Sequence, residues 1–169
     1  GALALNADVS SGSGNITLVG GNGLSIASGV FTITGAGDIF MDAGIGALLQ
    51  SSTSTTAAGE NVRLVATGDV TVAEVIADKI SVLSSANIIT APGASLNLSA
   101  SALRLDAGQA IGTGTDPLTV SVSELSALAN TGGIFLSESD DITVSSVGVT
   151  TDKVGADATT TPIADGALS

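Results

Sequence analysis

The densest group of side chains able to do chemistry is Glu138, Asp140 and Asp141, three carboxylates in one short polar stretch. A hard cation such as Ca²⁺ wants roughly six to eight oxygen ligands, and closely spaced carboxylates on a turn supply several of them. Calcium is therefore the metal these three would take, against the plainer expectation of a solvated acidic corner. Asn15, Asp38 and Asn61 form a second set, with a short amide or carboxylate recurring at a spacing of 23 residues. If that spacing is one turn of a coil, the three side chains stack and hydrogen-bond along its axis. They would then form a structural ladder.

Other motifs carry less. Gly20-Gly21-Asn22-Gly23-Leu24-Ser25-Ile26 has the glycine spacing of calcium-binding nonapeptides. Ser25, however, stands where the ligating Asp belongs, and no second copy follows, so a turn is expected. Asp42 and Asp106 precede Ala-Gly and suit Asx-type turns, and Asp69 suits a corner. Thr32-Ile33-Thr34 is one copy of an ice-binding pattern that would need a ladder of copies. Phe40 and Phe135 each occupy the variable site between apolar neighbours. They are expected to face outward, either under loops or as a lateral contact between rods.

Composition narrows the chemistry further. The 169 residues contain no His and no Cys, which removes the commonest general base and transition-metal ligand, and with them thiolate sites and disulfides. Sixteen acidic residues against four basic ones give a net charge of −12, a balance that repels nucleic acid and anionic membrane. Aromatic residues make up 2% and there is no Trp or Tyr, so platforms for sugar rings are scarce. Calcium is the one cofactor weighed. No enzyme activity is expected, and neither is a membrane-spanning helix, because no apolar run reaches about 18 residues.

The elements that must position these side chains are strands. Ile16/Leu18, Leu24/Ile26, Phe31/Ile33, Val62/Leu64, Val70/Val72, Ile80/Val82, Leu103/Leu105 and Ile142/Val144 each place one residue between two apolar ones. That is the period of a strand buried on one face. Asn15-Ile16-Thr17-Leu18, Asp38-Ile39-Phe40-Met41 and Asn61-Val62-Arg63-Leu64 share one template, and Gly133-Ile134-Phe135-Leu136 is aligned with it. A fixed period of this length is the mark of a solenoid. The expected fold is therefore all-β, a parallel β-helix (β-solenoid) of roughly 23 residues per rung. Ser/Thr-rich loop excursions are expected at about 51–60 and 113–132, and residues 122–128 are weighed as one helical turn.

One domain, 1–169, is expected, with recognisable rungs over about 1–147. The Thr/Ala/Asp-rich tail 148–169 is expected to continue the solenoid or to dock on a next unit. The chain opens Gly1-Ala2-Leu3 without an initiator Met, so a piece of something longer is expected. Neither end has the pattern of a capping helix, which suggests continuation into further rungs.

The strings GNITLVGGNGLSIASG, LRLDAGQAIGTGTDPLTVSVSELSALANTGGIFLSESDDITV and DKVGADATTTPIADGALS resemble large repetitive β-strand-repeat surface proteins of Gram-negative bacteria, related to filamentous-haemagglutinin-like adhesins. The resemblance covers most of the chain and rests on low-complexity patterning, with no catalytic motif. It implies a right-handed helix, secretion to the bacterial cell surface, and a role as stalk, fibre or adhesin. The partners implied are copies of itself or neighbouring repeats stacked end to end, and a host or environmental surface ligand. A calcium-dependent or carbohydrate-binding surface module is the alternative.

Overall fold

The computed structural model describes residues 1–168 and has no helix among them. The chain winds into a parallel β-solenoid of about 6 turns, roughly 22 residues per turn. The first rung holds β1 (Leu3–Leu5), β2 (Val9–Ser11) and β3 (Ile16–Val19). The second holds β4 (Leu24–Ile26), β5 (Phe31–Thr34) and β6 (Ile39–Asp42). The third holds β7 (Leu48–Gln50), β8 (Thr55–Ala58) and β9 (Asn61–Ala66). The fourth holds β10 (Val70–Val72), β11 (Glu74–Ile76) and β12 (Lys79–Ser84). In the fifth, β13 (Ile88–Thr90) leads into β14 (Leu98–Ala107), which spans two faces, and β15 (Leu118–Ala129) does the same in the sixth. The short β16 (Leu136–Glu138) and β17 (Thr143–Val144) begin a seventh turn.

Each strand pairs in register with its counterpart one turn away, so backbone N–H and C=O groups are satisfied along the axis. The first face runs β1-β4-β7-β10-β13 and is extended by bridges from Ile88 to Ile111 to Ile134. The inward column of the third face is Ile16, Ile39, Val62, Ile80, Leu103 and Leu125. All six are buried, each contributing about 1.5–3 kcal/mol of apolar burial. At the corner between the second and third faces, the second and third rungs approach their predecessors so closely that only glycine fits. A Cβ on Gly59 would lie 2.3 Å from the Gly35 carbonyl oxygen, and one on Gly35 would lie 2.5 Å from that of Gly12.

Several local expectations are corrected. In β5 the phase is reversed: Thr32 and Thr34 point inward at 0% and 2% exposure, whereas Phe31 and Ile33 face out. The neighbours fix this phase, since Thr32 pairs with Val9 on one side and Thr56 on the other. Ile134 pairs with Ile111 on the first face, so Gly133-Ile134-Phe135-Leu136 does not share the face of Ile16. The segments 51–60 and 113–132 stay largely within the rungs as β8 and β15. Residues 122–128 are strand, because their backbone groups pair with β14. The tail adds no rung. Its β18 (Val149–Val154) and β19 (Thr160–Asp165) form an antiparallel hairpin folded back along the solenoid, and position 169 lies outside the described residues.

Candidate functional site

The side chains that converge do so on the outer surface of the third face. Strand pairing there aligns Thr17, Phe40, Arg63, Ser81, Arg104 and Ser126, one residue per rung. Each lies between inward apolar neighbours, so the strand period alone turns it outward. The hairpin covers this column, and Phe40 is left only 3% exposed. Phe40 therefore packs beneath the hairpin of its own chain.

The hairpin runs along the solenoid axis. The Asn61 Nδ2 amide donates to the Thr150 carbonyl at 3.0 Å, and the Asp152 N–H donates to Asp38 Oδ2 at 2.6 Å. The Val154 N–H donates to Thr17 Oγ1 at 2.8 Å. After the turn the chain returns. Arg63 Nε and Nη2 donate to the two carboxylate oxygens of Asp165 at 2.8 and 3.0 Å, and Ser81 Oγ donates to the same carboxylate at 2.7 Å. Arg104 Nε donates to the Gly166 carbonyl at 2.8 Å, and its Nη2 reaches Asp106 Oδ2 at 3.0 Å. Arg63 and Lys153 lie 5.3 and 5.0 Å from the Phe40 ring centroid, within cation–π range. In a chain of net charge −12, two of the four cations thus stand on the column and a third, Lys153, reaches it from the hairpin.

The Asn15, Asp38 and Asn61 side chains lie on one edge of this face. Asn15 Oδ1 accepts the Asp38 N–H at 2.9 Å, and Asp38 Oδ1 accepts the Asn61 N–H at 2.8 Å. The remaining Asp38 oxygen and the Asn61 amide hold the hairpin, so these two residues serve both stacking and closure.

Two further amide stacks have weaker sequence signals. Asp69 Oδ1 accepts both the backbone N–H and the side-chain amide of Asn87, across a short step of 18 residues. The buried Gln50 and Asn97 lie at the corner after the first face. Gln50 Oε1 accepts the Ala73 N–H at 3.1 Å, and Asn97 donates to the Val72 carbonyl at 2.9 Å and accepts the Thr119 N–H at 2.9 Å. Isolated amides inside low-complexity sequence give little warning of such roles. Their spacings of 23 and 22 residues from the backbone N–H groups they accept are the one usable signal.

Glu138, Asp140 and Asp141 do not converge on a point. Glu138 Oε2 accepts the Val122 N–H at 2.9 Å and Oε1 accepts the Ser139 N–H at 2.9 Å, so this carboxylate caps backbone. Asp140 and Asp141 line a polar cleft of about 240 Å³ with Ser99, Ser121 and Ser123. Among the described residues no group of three or more acidic, His or Cys side chains is arranged to hold a metal ion. Phe135 is 41% exposed, and its ring lies alongside Gly114 in the loop before β15. Asp42 accepts the Gly44 N–H at 2.8 Å in an Asx turn, whereas Asp106 is paired with Arg104. No family model, curated protein or solved structure matches this chain.

Proposed function

We propose that the chain is a structural segment of an extracellular bacterial fibre, stalk or adhesin, and one unit of a head-to-tail array. The observation that carries this reading is the uninterrupted in-register stacking of parallel strands over the length of the solenoid. Each rung adds about 4.8 Å to a rod whose core is continuous and aliphatic. The polar side chains that meet are engaged in stacking and closure, which suits a mechanical role better than a catalytic one. Copies of the chain are then the partners, and the cell surface is the location.

Negative-stain electron microscopy of the purified chain in low-salt buffer tests this. Thin filaments that lengthen with protein concentration are expected. A uniform population of short rods would overturn the array. The cleft between Ser99, Ser121 and Asp140 favours a second reading, a carbohydrate-binding surface module. A glycan array probed with and without chelator discriminates it, since a chelator-sensitive hit would also make calcium part of the site.

A further inference from the structure

We propose that the outward column Thr17–Phe40–Arg63–Ser81–Arg104 is a docking surface between copies of this chain, on which the C-terminal hairpin of one copy seats in place of another's own. The inference rests on the column and the hairpin alone. Its failure would leave the end-to-end reading of the rungs untouched.

Three features make the hairpin exchangeable. First, β18 and β19 pair only with each other, so the hairpin can leave without breaking any ladder of the solenoid. Second, the last backbone anchor before the hairpin is the Ser145 N–H on the Leu125 carbonyl, at 2.9 Å. From there a short link, Ser146-Val147-Gly148, leads into β18, and exchange of an element about such a link recreates the same contacts in another copy. Third, besides the apolar burial of Val147 and Val149 against Ala102, the hairpin makes recognition contacts. They are a two-point arginine–carboxylate pair, an aromatic ring flanked by cations, and side chains that accept backbone N–H groups.

Charge selects the occupant. Two copies of net charge −12 repel over most of their surfaces, and this column carries both of the chain's arginines, two of its four cations. The hairpin is the segment that matches it, placing the Asp165 carboxylate against the fork of Arg63. The column also has donor capacity to spare, because Arg104 Nη1 is buried with no partner among the described residues. A short tether gives the chain's own hairpin a high effective concentration, so exchange between copies grows with crowding.

Charge exchange in the full-length chain tests the proposal. R63D and D165R each set like charges against one another within a chain. Mixed, the two variants restore opposite pairs only between copies, the D165R hairpin on the R63D column and the R63D hairpin, with its native Asp165, on the D165R column. Sedimentation velocity should show an equimolar mixture associating about tenfold or more tightly than either variant alone. The R63D/D165R double variant should remain like the unaltered chain. Should a charge reversal disturb folding, T17C and V154C provide a second route in a chain that has no cysteine. Their oxidised mixture is expected to give disulfide-linked heterodimers in a concentration-dependent way. A mixture that stays monomeric by both measures, while the T17C/V154C double variant closes within one chain, would overturn the proposal.

Discussion

Arg63 and Asp165 lie 102 residues apart in sequence and meet in a two-point ion pair of 2.8 and 3.0 Å, with both side chains nearly enclosed. The pair belongs to a brace that touches Thr17, Asp38, Arg63, Ser81 and Arg104, one residue on each of the first five rungs. Strand ladders bind each rung only to its neighbours, so in a bare solenoid stability is a sum of local terms. The hairpin adds direct ties between rungs that are not adjacent. Loss of an inner rung is then opposed by contacts at both ends of the brace.

Removing one partner of the Arg63–Asp165 pair should cost about 2 kcal/mol, within the range for hydrogen bonds to charged groups. For a chain of this size that is a fall of roughly 4–8 °C in melting temperature. D165N and R63A are expected to behave alike, with R63K intermediate because it keeps the charge and loses the fork. Hydrogen exchange should rise first at β18 and β19, with the rungs still protected. Simultaneous loss of protection in hairpin and rungs would show that the hairpin does not open as a separate unit.

Thr32 and Thr34 are both buried in β5, yet substitution by Val should move stability in opposite directions. Thr34 Oγ1 donates to the Gly14 carbonyl at 2.8 Å, whereas Thr32 Oγ1 has no partner among the described residues. An unpaired buried hydroxyl is unfavourable, so Thr32→Val is expected to stabilise by about 1 kcal/mol. Thr34→Val should destabilise by about the same amount, since it strands a carbonyl and removes a bond. Urea titrations of the two variants give the signs directly. Destabilisation by Thr32→Val would mean that its hydroxyl is satisfied in solution.

The contrast within β5 also shows what the sequence could and could not convey. The 23-residue spacing of Asn15, Asp38 and Asn61 is legible because a side-chain ladder demands the same kind of residue at the same place in each turn. The phase of Phe31-Thr32-Ile33-Thr34 is not, because alternation alone puts the apolar pair inside. The pairing with Val9 and Thr56 sets the opposite phase. Residues 118–129 resemble a polar excursion because serine and threonine alternate along them, although Leu118, Val120 and Val122 point into the core. The docking column depends on contacts between distant segments. Arg63 and Arg104 at outward positions, and Asp165 in the tail, are visible as charges, but nothing local says that they meet.

Asn97 is the buried residue whose loss should be felt most. Its amide nitrogen donates to the Val72 carbonyl at 2.9 Å and to Thr90 Oγ1 at 2.7 Å, and its oxygen accepts the Thr119 N–H at 2.9 Å. Asn97→Ala leaves these groups without partners in an enclosed corner. A loss of about 3 kcal/mol is expected, from more than one unsatisfied group. Asn97→Asp should be at least as damaging, since a carboxylate cannot donate to Val72 and would be charged in the interior. Thermal melts of both variants check this. A loss below about 1 kcal/mol for Asn97→Ala would show that the corner relaxes to re-pair those groups.

Asp157 gives the hairpin turn its own dependence on pH. Its carboxylate accepts the Thr159 hydroxyl at 2.8 Å and the Thr159 N–H at 3.1 Å, and these bonds hold its pKa below the ordinary value of 3.8. The folded form is thus the weaker proton binder. Its contribution to turn stability is complete above the ordinary value and disappears as the pH falls through the lowered one. The side chain is fully exposed, so the effect is local to the turn, which the Gly155 N–H closes on the Thr159 carbonyl at 2.8 Å. NMR titration should show the Thr159 amide resonance shifting with a midpoint below 3.8, and D157N should abolish that shift. A midpoint at or above the ordinary carboxylate value would mean that the Asp157–Thr159 bonds are not formed in solution.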